Sequence, residues 1–127
     1  MDTRNNKMSL LLVEDTEDNR FMMRRLLEME GYRVVEARNG DEAFKAARDE
    51  KPDLILMDLS LPVIDGVAAT RLIRELPALR ETPIIAVSAH DTADFEEIAL
   101  EAGCNGYIKK PINFTELEKL IAKFLGQ

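Results

Sequence analysis

The 127 residues carry 17 basic and 24 acidic side chains, for a formal charge of −7, and 46% of them are apolar. That length and apolar fraction exclude a disordered chain and predict one domain around a single core. The acidic balance argues against direct, non-specific binding to nucleic acid or anionic lipid. The lone cysteine, Cys104, cannot close an internal disulfide, which fits a reducing cytoplasm, and no apolar run approaches the ~20 residues of an inserted membrane span.

The opening segment, Met1 to Lys7, lacks the apolar core of a secretion signal. It reads as part of a flexible lead-in over residues 1–8, ahead of a domain over 9–127. The first strand is Leu10–Val13, running into Glu14-Asp15. Helix Asp18–Glu30 follows, with Met22, Met23, Leu26 and Leu27 as its expected buried stripe. Then come strand Arg33–Glu36, helix Gly40–Glu50 and strand Asp53–Met57, whose apolar run stops at Asp58. Helix Gly66–Leu76 leads to strand Ile84–Val87, which ends in Ser88. Helix Ala93–Ala102, strand Gly106–Ile108 and helix Asn113–Leu125 complete the chain, the last with Leu117, Leu120, Ile121 and Phe124 facing the core. Gly31, Gly103 and Gly126 each follow a helical pattern, where a left-handed residue is wanted. Five βα units in alternation predict an α/β fold: a parallel sheet with helices on both faces, a three-layer sandwich. Right-handed crossovers leave few topologies, led by the flavodoxin-like order 2-1-3-4-5.

Ligand and catalytic groups of open α/β sheets gather beyond the carboxyl ends of the strands. Here those ends bring Glu14, Asp15, Asp58, Ser88 and Lys110 to one crevice. Three carboxylates so placed repel one another unless a cation joins them or one takes a proton. Magnesium prefers oxygen ligands and keeps several waters. Asp15 and Asp58 are therefore expected as direct ligands, and Glu14, with its longer side chain, through a water; manganese can substitute. With a metal offsetting charge on an incoming phosphoryl group, Asp58 could attack it to form an aspartyl phosphate. The Lys110 ammonium would supply a compact counter-charge and the Ser88 hydroxyl a donor. Adjacent strand residues point to opposite faces, so only one of Lys109 and Lys110 should reach the crevice. A cis Lys110–Pro111 bond, accessible before proline, would turn the lysine back over the sheet edge.

Val13-Glu14-Asp15, Asp58 followed by Leu61-Pro62 and Asp65-Gly66, Val87-Ser88-Ala89, and Tyr107 with Lys110-Pro111 stand in one order and spacing. Together they resemble the receiver domains of two-component signalling over nearly the whole chain, and look closest to stand-alone receivers of bacterial chemotaxis and cell-cycle control. The resemblance implies Asp58 as phospho-acceptor, Glu14 and Asp15 as metal-site acids, and the Ser60 backbone carbonyl as a further ligand. It implies Ser88 as the switch hydroxyl, the Ala89 backbone and Lys110 as phosphate contacts, and Tyr107 as the switch aromatic. Pro62, Gly66 and Pro111 are then structural residues near the site. The phospho-donor would be a sensor histidine kinase or a histidine phosphotransfer protein. The output would pass to a partner protein through helix Ala93–Ala102, strand Gly106–Ile108 and helix Asn113–Leu125.

Some positions say more about this chain in particular. His90, the only histidine, follows Ser88 by two residues; with Ser60 it is a candidate for tuning the lifetime of the acyl phosphate. Phe21, Arg25 and Met29 fall in line at i+4 steps, away from the expected buried stripe, and are candidates for docking the donor. Cys104 is expected to be a small packing residue.

Two other functions compete. An aspartate-nucleophile phosphatase of the haloacid dehalogenase type also uses magnesium at a strand end. It needs a second acid two positions after the nucleophile, where this chain has Ser60. A receiver cut from a hybrid kinase or larger regulator would carry the same residues; Met1 and the Gly126-Gln127 ending favour a free-standing protein.

Overall fold

In the computed structural model, residues 7–59, 65–89 and 93–126 are described. Ser60, Leu61, Pro62 and His90 lie outside the described residues, as do residues 1–6 of the expected lead-in. Five parallel strands form one sheet in the order β2-β1-β3-β4-β5. They are β1 (Ser9–Val13), β2 (Arg33–Ala37), β3 (Leu54–Asp58), β4 (Ile84–Ser88) and β5 (Gly106–Lys109). The helices are α1 (Glu17–Met29), α2 (Gly40–Glu50), α3 (Gly66–Arg74), α4 (Ala93–Ala102) and α5 (Phe114–Phe124).

The register pairs Leu10 with Val34 and Leu54, Ile55 with Ile84, and Ile85 with Gly106. The inner strands β1, β3 and β4 are near-continuous Leu, Ile, Val and Met because both of their faces are covered. Alternate residues go to opposite layers. Leu10, Leu12, Leu54, Leu56 and Ile85 pack with Met23 and Leu27 of α1 and Leu117 and Ile121 of α5. Leu11, Val13, Ile55, Met57 and Ala86 pack with Ala43 of α2, Ile73 of α3 and Ala99 of α4. Each fully buried Leu or Ile in these layers contributes about 1.5–3 kcal/mol.

Among the described residues, three helices begin on side-chain caps: Asn39 accepts from the Glu42 N–H at 2.8 Å, Asp65 from the Ala68 N–H at 2.8 Å and Asn113 from the Glu116 N–H at 3.1 Å. Such caps each contribute about 1 kcal/mol. They also move boundaries, since Asn113, expected inside the last helix, caps it instead. Asp53 stands outside β3, with its carboxylate accepting the Ser9 N–H at 2.7 Å. Helix α3 stops at Arg74 rather than Leu76 because Pro77 opens a short 3-10 turn over Pro77–Leu79 and disfavours helical geometry at the residue before it.

The α1 stripe needs a correction. Met23 and Leu27 are buried, but Met22 is 52% exposed and Leu26 only half-buried. Met23 and Leu27, four apart, meet the sheet; Met22 lies about 100° round the helix from Met23 and emerges on the flank facing Pro111 and Phe114.

At the amino end of the sheet, the Arg74 guanidinium ties α3 to the turn between α4 and β5. It donates to the Gly103 carbonyl at 3.0 and 2.8 Å, to the Leu79 carbonyl at 2.6 Å, to the Arg80 carbonyl at 3.2 Å and to Asn105 Oδ1 at 2.8 Å. Asn105 Oδ1 also accepts the Ile84 N–H, at 2.9 Å. Gly103 has φ +119°, and a Cβ there would stand 2.7 Å from Arg74 Cγ.

Candidate functional site

The carboxyl ends of β1, β3, β4 and β5 converge on one crevice. Asp58 is the last residue of β3, paired in register with Val87 and 2% exposed. Lys110 Nζ donates to Asp58 Oδ2 at 3.1 Å and lies 3.6 Å from Glu14 Oε1. Carboxylate oxygens of Glu14, Asp15 and Asp58 all fall within 4.8 Å of one another. Glu14 is buried and Asp15 exposed, so the cluster is open to solvent on one side.

Glu14 is fixed at several atoms. Its N–H donates to the Ala37 carbonyl at 3.0 Å, extending the β1–β2 ladder by one residue, and its Oε2 accepts the Thr16 N–H at 3.0 Å. Its own carbonyl accepts from Arg20 Nη1 at 3.0 Å. Burial pushes the Glu14 carboxyl above the usual glutamate range, with the Asp58 charge adding to the shift; the Thr16 N–H and the Lys110 ammonium offset it only in part. Burial alone would lower Lys110, but the hydrogen bond and charge of Asp58, with Glu14 and Asp15 behind it, hold its ammonium above the ordinary value. One ammonium among three carboxylates leaves two negative charges uncompensated when all are ionised. The donor set is all oxygen and in surplus negative charge, which fits a hard divalent cation.

Several of the other residues singled out in the sequence lie near this cluster. Ser88 closes β4, fully buried, and its carbonyl accepts the Lys110 N–H at 2.8 Å. Ala89 follows on the surface. Tyr107, half-buried, pairs in register with Ala86 and packs on the α2–α3–α4 layer. Lys110 reaches the crevice, whereas Lys109, paired with Ser88, is exposed. The Lys110–Pro111 bond is cis. Gly66 is required by close approach: a Cβ there would run into the Asp58 carbonyl oxygen and sit 2.6 Å from Leu59 Cα. Phe21 and Met29 are 53% and 76% exposed, and the guanidinium carbons of Arg24 and Arg25 lie 5.8 and 5.9 Å from the Phe21 ring centre. Cys104 is buried, as its packing role requires.

Two features escaped the sequence reading. Met22 joins Leu26, Pro111 and Phe114 in a groove of about 310 Å³ that reaches Glu14 and Lys110. The other is Arg20, which the helical pattern alone could only mark as lying on a flank.

A family model for the response regulator receiver domain matches residues 10–122. The chain belongs to the response-regulator receiver family. It is 41% identical over 118 residues to the polar-differentiation response regulator DivK of Brucella anthropi, spanning 93% of this chain and 96% of that protein. Its DivK counterpart in Brucella ovis is 40% identical over the same length. Among solved receivers, the domain of a sensor histidine kinase from Pseudomonas aeruginosa PAO1 superposes with TM-score 0.88 at 38% identity, covering 95% of this chain and 99% of that one. That structure holds a magnesium ion in its active-site cleft. The chemotaxis protein CheY4 of Vibrio cholerae gives 0.88 at 26% identity, covering 93% and 98%. No helix among the described residues is long and apolar enough to cross a membrane.

Proposed function

We propose that this receiver is a phospho-acceptor switch rather than an enzyme acting on a separate substrate. Asp58 takes a phosphoryl group from the phosphohistidine of a sensor histidine kinase or a histidine phosphotransfer protein. A carboxylate oxygen of Asp58 bonds to phosphorus as the phosphorus–nitrogen bond breaks, and the electron pair leaves on the imidazole nitrogen. The observation that carries this reading is the buried Asp58 carboxylate at a strand end, 3.1 Å from Lys110 Nζ and clustered with Glu14 and Asp15.

Magnesium, when bound by Glu14, Asp15, Asp58 and the Ser60 carbonyl, would offset charge on the transferring oxygens; manganese would serve in its place. Lys110 contacts one phosphate oxygen, and the Ser88 hydroxyl and Ala89 N–H hold others. The pull on Ser88 draws Tyr107 inward, and the altered surface of α4, β5 and α5 is read by a partner protein. His90 and Ser60 tune how fast water reaches the acyl phosphate. Phe21, Arg25 and Met29, joined by the Met22 groove beside the crevice, form the donor-docking face. On this reading the protein works in the cytoplasm, as one receiver domain over 9–127 acting through protein partners rather than on nucleic acid.

Intact-mass spectrometry after acetyl phosphate tests the reaction. The parent should gain one phosphoryl group in magnesium and none after chelation, and Asp58→Asn should gain none. An adduct on Asp58→Asn, or one indifferent to chelation, would sink the proposal. A second reading is favoured by the likeness to a histidine-kinase receiver domain: the chain works as a relay that passes its phosphoryl group onward. Transfer from phosphorylated parent to a histidine phosphotransfer protein separates the two.

A further inference from the structure

Among the described residues, Arg20 is the guanidinium that touches the backbone between the two adjacent acids of the crevice. Its Nη1 donates to the Glu14 carbonyl, the oxygen of the peptide joining Glu14 to Asp15, at 3.0 Å. Its Nε donates to Glu36 Oε1 at 3.1 Å, and its side chain is only 12% exposed. Glu36 belongs to the edge strand β2, where it pairs in register with Leu12, two residues before Glu14. The other oxygen of Glu36 is taken by Arg24 Nη1 at 2.9 Å. The edge strand thus holds a carboxylate between two arginines, and one of the two reaches on to the acidic loop.

We propose that Arg20, oriented by Glu36, is a positioning residue that holds the Glu14–Asp15 peptide so that both carboxylates face the cation site. The inference rests on the metal reading of the crevice.

The geometry is economical in a specific way. The two peptides that flank the Glu14 Cα are each held, the preceding one through the Glu14 N–H on the Ala37 carbonyl and the following one through the carbonyl that Arg20 grips; because the second plane is rigid and includes the Asp15 Cα, that atom has little freedom to swing. Asp15 is the exposed acid of the three, and it follows Glu14 directly, so it gains most from a backbone set in advance. The grip is on a carbonyl, so it consumes no carboxylate oxygen that a cation would need. A lysine could bring the same charge but not the forked geometry that spans Glu14 and Glu36 together. Groups that orient ligands from behind commonly change metal affinity by about 10–100-fold when removed.

The test is direct measurement of manganese and magnesium dissociation constants by calorimetry on the unphosphorylated protein, alongside urea unfolding. Arg20→Met and Arg20→Lys should each weaken binding about tenfold, and Glu36→Gln should weaken it by a smaller factor. Arg24→Met breaks a bond to the same glutamate but not the one to the Glu14 carbonyl, and should bind within about twofold of the parent. Arg20→Met and Glu36→Gln combined should be no worse than Arg20→Met alone. The inference is overturned if Arg20→Lys binds like the parent, because charge alone then suffices. It is equally overturned if Arg24→Met weakens binding as much as Arg20→Met. Should Arg20→Met fail to fold, Arg20→Lys and Glu36→Gln decide the matter by the same criteria. If the parent binds manganese and the Arg20 variants match it, only this inference falls; if the parent binds no metal, the reading beneath it falls too.

Discussion

The two ends of the sheet handle buried charge in opposite ways. At the amino end, Arg74 is desolvated enough that burial draws its guanidinium below the ordinary arginine value, yet three carbonyls and the Asn105 amide oxygen meet its donors. Every partner comes from the chain. At the carboxyl end, three carboxylates share one ammonium, and burial raises Glu14, disfavouring its charged form as it does that of Arg74. One end is closed by internal hydrogen bonds and serves stability. The other holds surplus negative charge that a cation from outside, or a proton on one carboxylate, would balance; on the proposed reading that charge serves binding rather than the fold. That division gives a criterion: stability changes at the amino end should ignore magnesium, and those at the carboxyl end should depend on it.

The largest effect should come from Arg74→Met. Losing a forked cation leaves the Gly103 and Leu79 carbonyls without their donor, and charged hydrogen bonds contribute about 1.5–3 kcal/mol each before relaxation and water recover part of it. Because Arg74 is partly exposed, a net loss of about 3 kcal/mol is expected in urea unfolding, equal with and without magnesium. A deficit that shrinks as magnesium is added would erase the distinction between the two ends.

Lys110→Met should be smaller and conditional. It strands buried Asp58 and Glu14 without their ammonium, at a cost of about 1–2 kcal/mol in metal-free buffer once the lysine's partial exposure is discounted. Saturating magnesium should close most of that gap, since a divalent cation supplies the missing charge. In the parent, magnesium at a hundred times its dissociation constant should itself add about 2.7 kcal/mol. Equal Lys110→Met deficits in both buffers would show that the acids do not act as a cation site.

Much of the crevice was legible in the chain. Apolar runs that stop on Glu14, Asp58 and Ser88 mark strand ends because a parallel sheet covered on both faces must be apolar to its last turn. Strand alternation admits only one of Lys109 and Lys110 to the crevice, and the resemblance to receivers named Lys110 as that one. Met22 was misplaced because helical periodicity defines a stripe more than 100° wide and cannot say which flank the neighbouring loop leaves open. Arg74 could not be read at all. An arginine in the last turn of α3 looks like a solvated charge until the turn at Gly103, 29 residues on, is brought against it. Arg20 is similar, its partner Glu36 lying on a strand 16 residues away. Side chains whose partners come from distant segments leave no local pattern, and these two anchor opposite ends of the sheet.

The smallest predicted effect probes the closed end by pH. The Cys104 thiol is pushed above its ordinary value near 9.0 by burial, with the Thr70 hydroxyl and the Arg74 guanidinium pulling the other way. A folded-state value above the unfolded one means the thiol's contribution is fully present below about pH 9 and is lost as pH climbs toward the folded value. Stability of the parent minus that of Cys104→Ala should therefore fall above pH 9, by no more than about 1.4 kcal/mol per pH unit, the limit for one proton. Tyrosine and lysine titrations cancel in the difference. Below pH 9 the difference should be flat, and the native thiol should react with a disulfide reagent only through opening, faster in Arg74→Met than in the parent. A difference that rises with pH would mean that the guanidinium 's attraction outweighs burial and stabilises a thiolate, and the amino end would then hold an unspent charge of its own rather than a satisfied one.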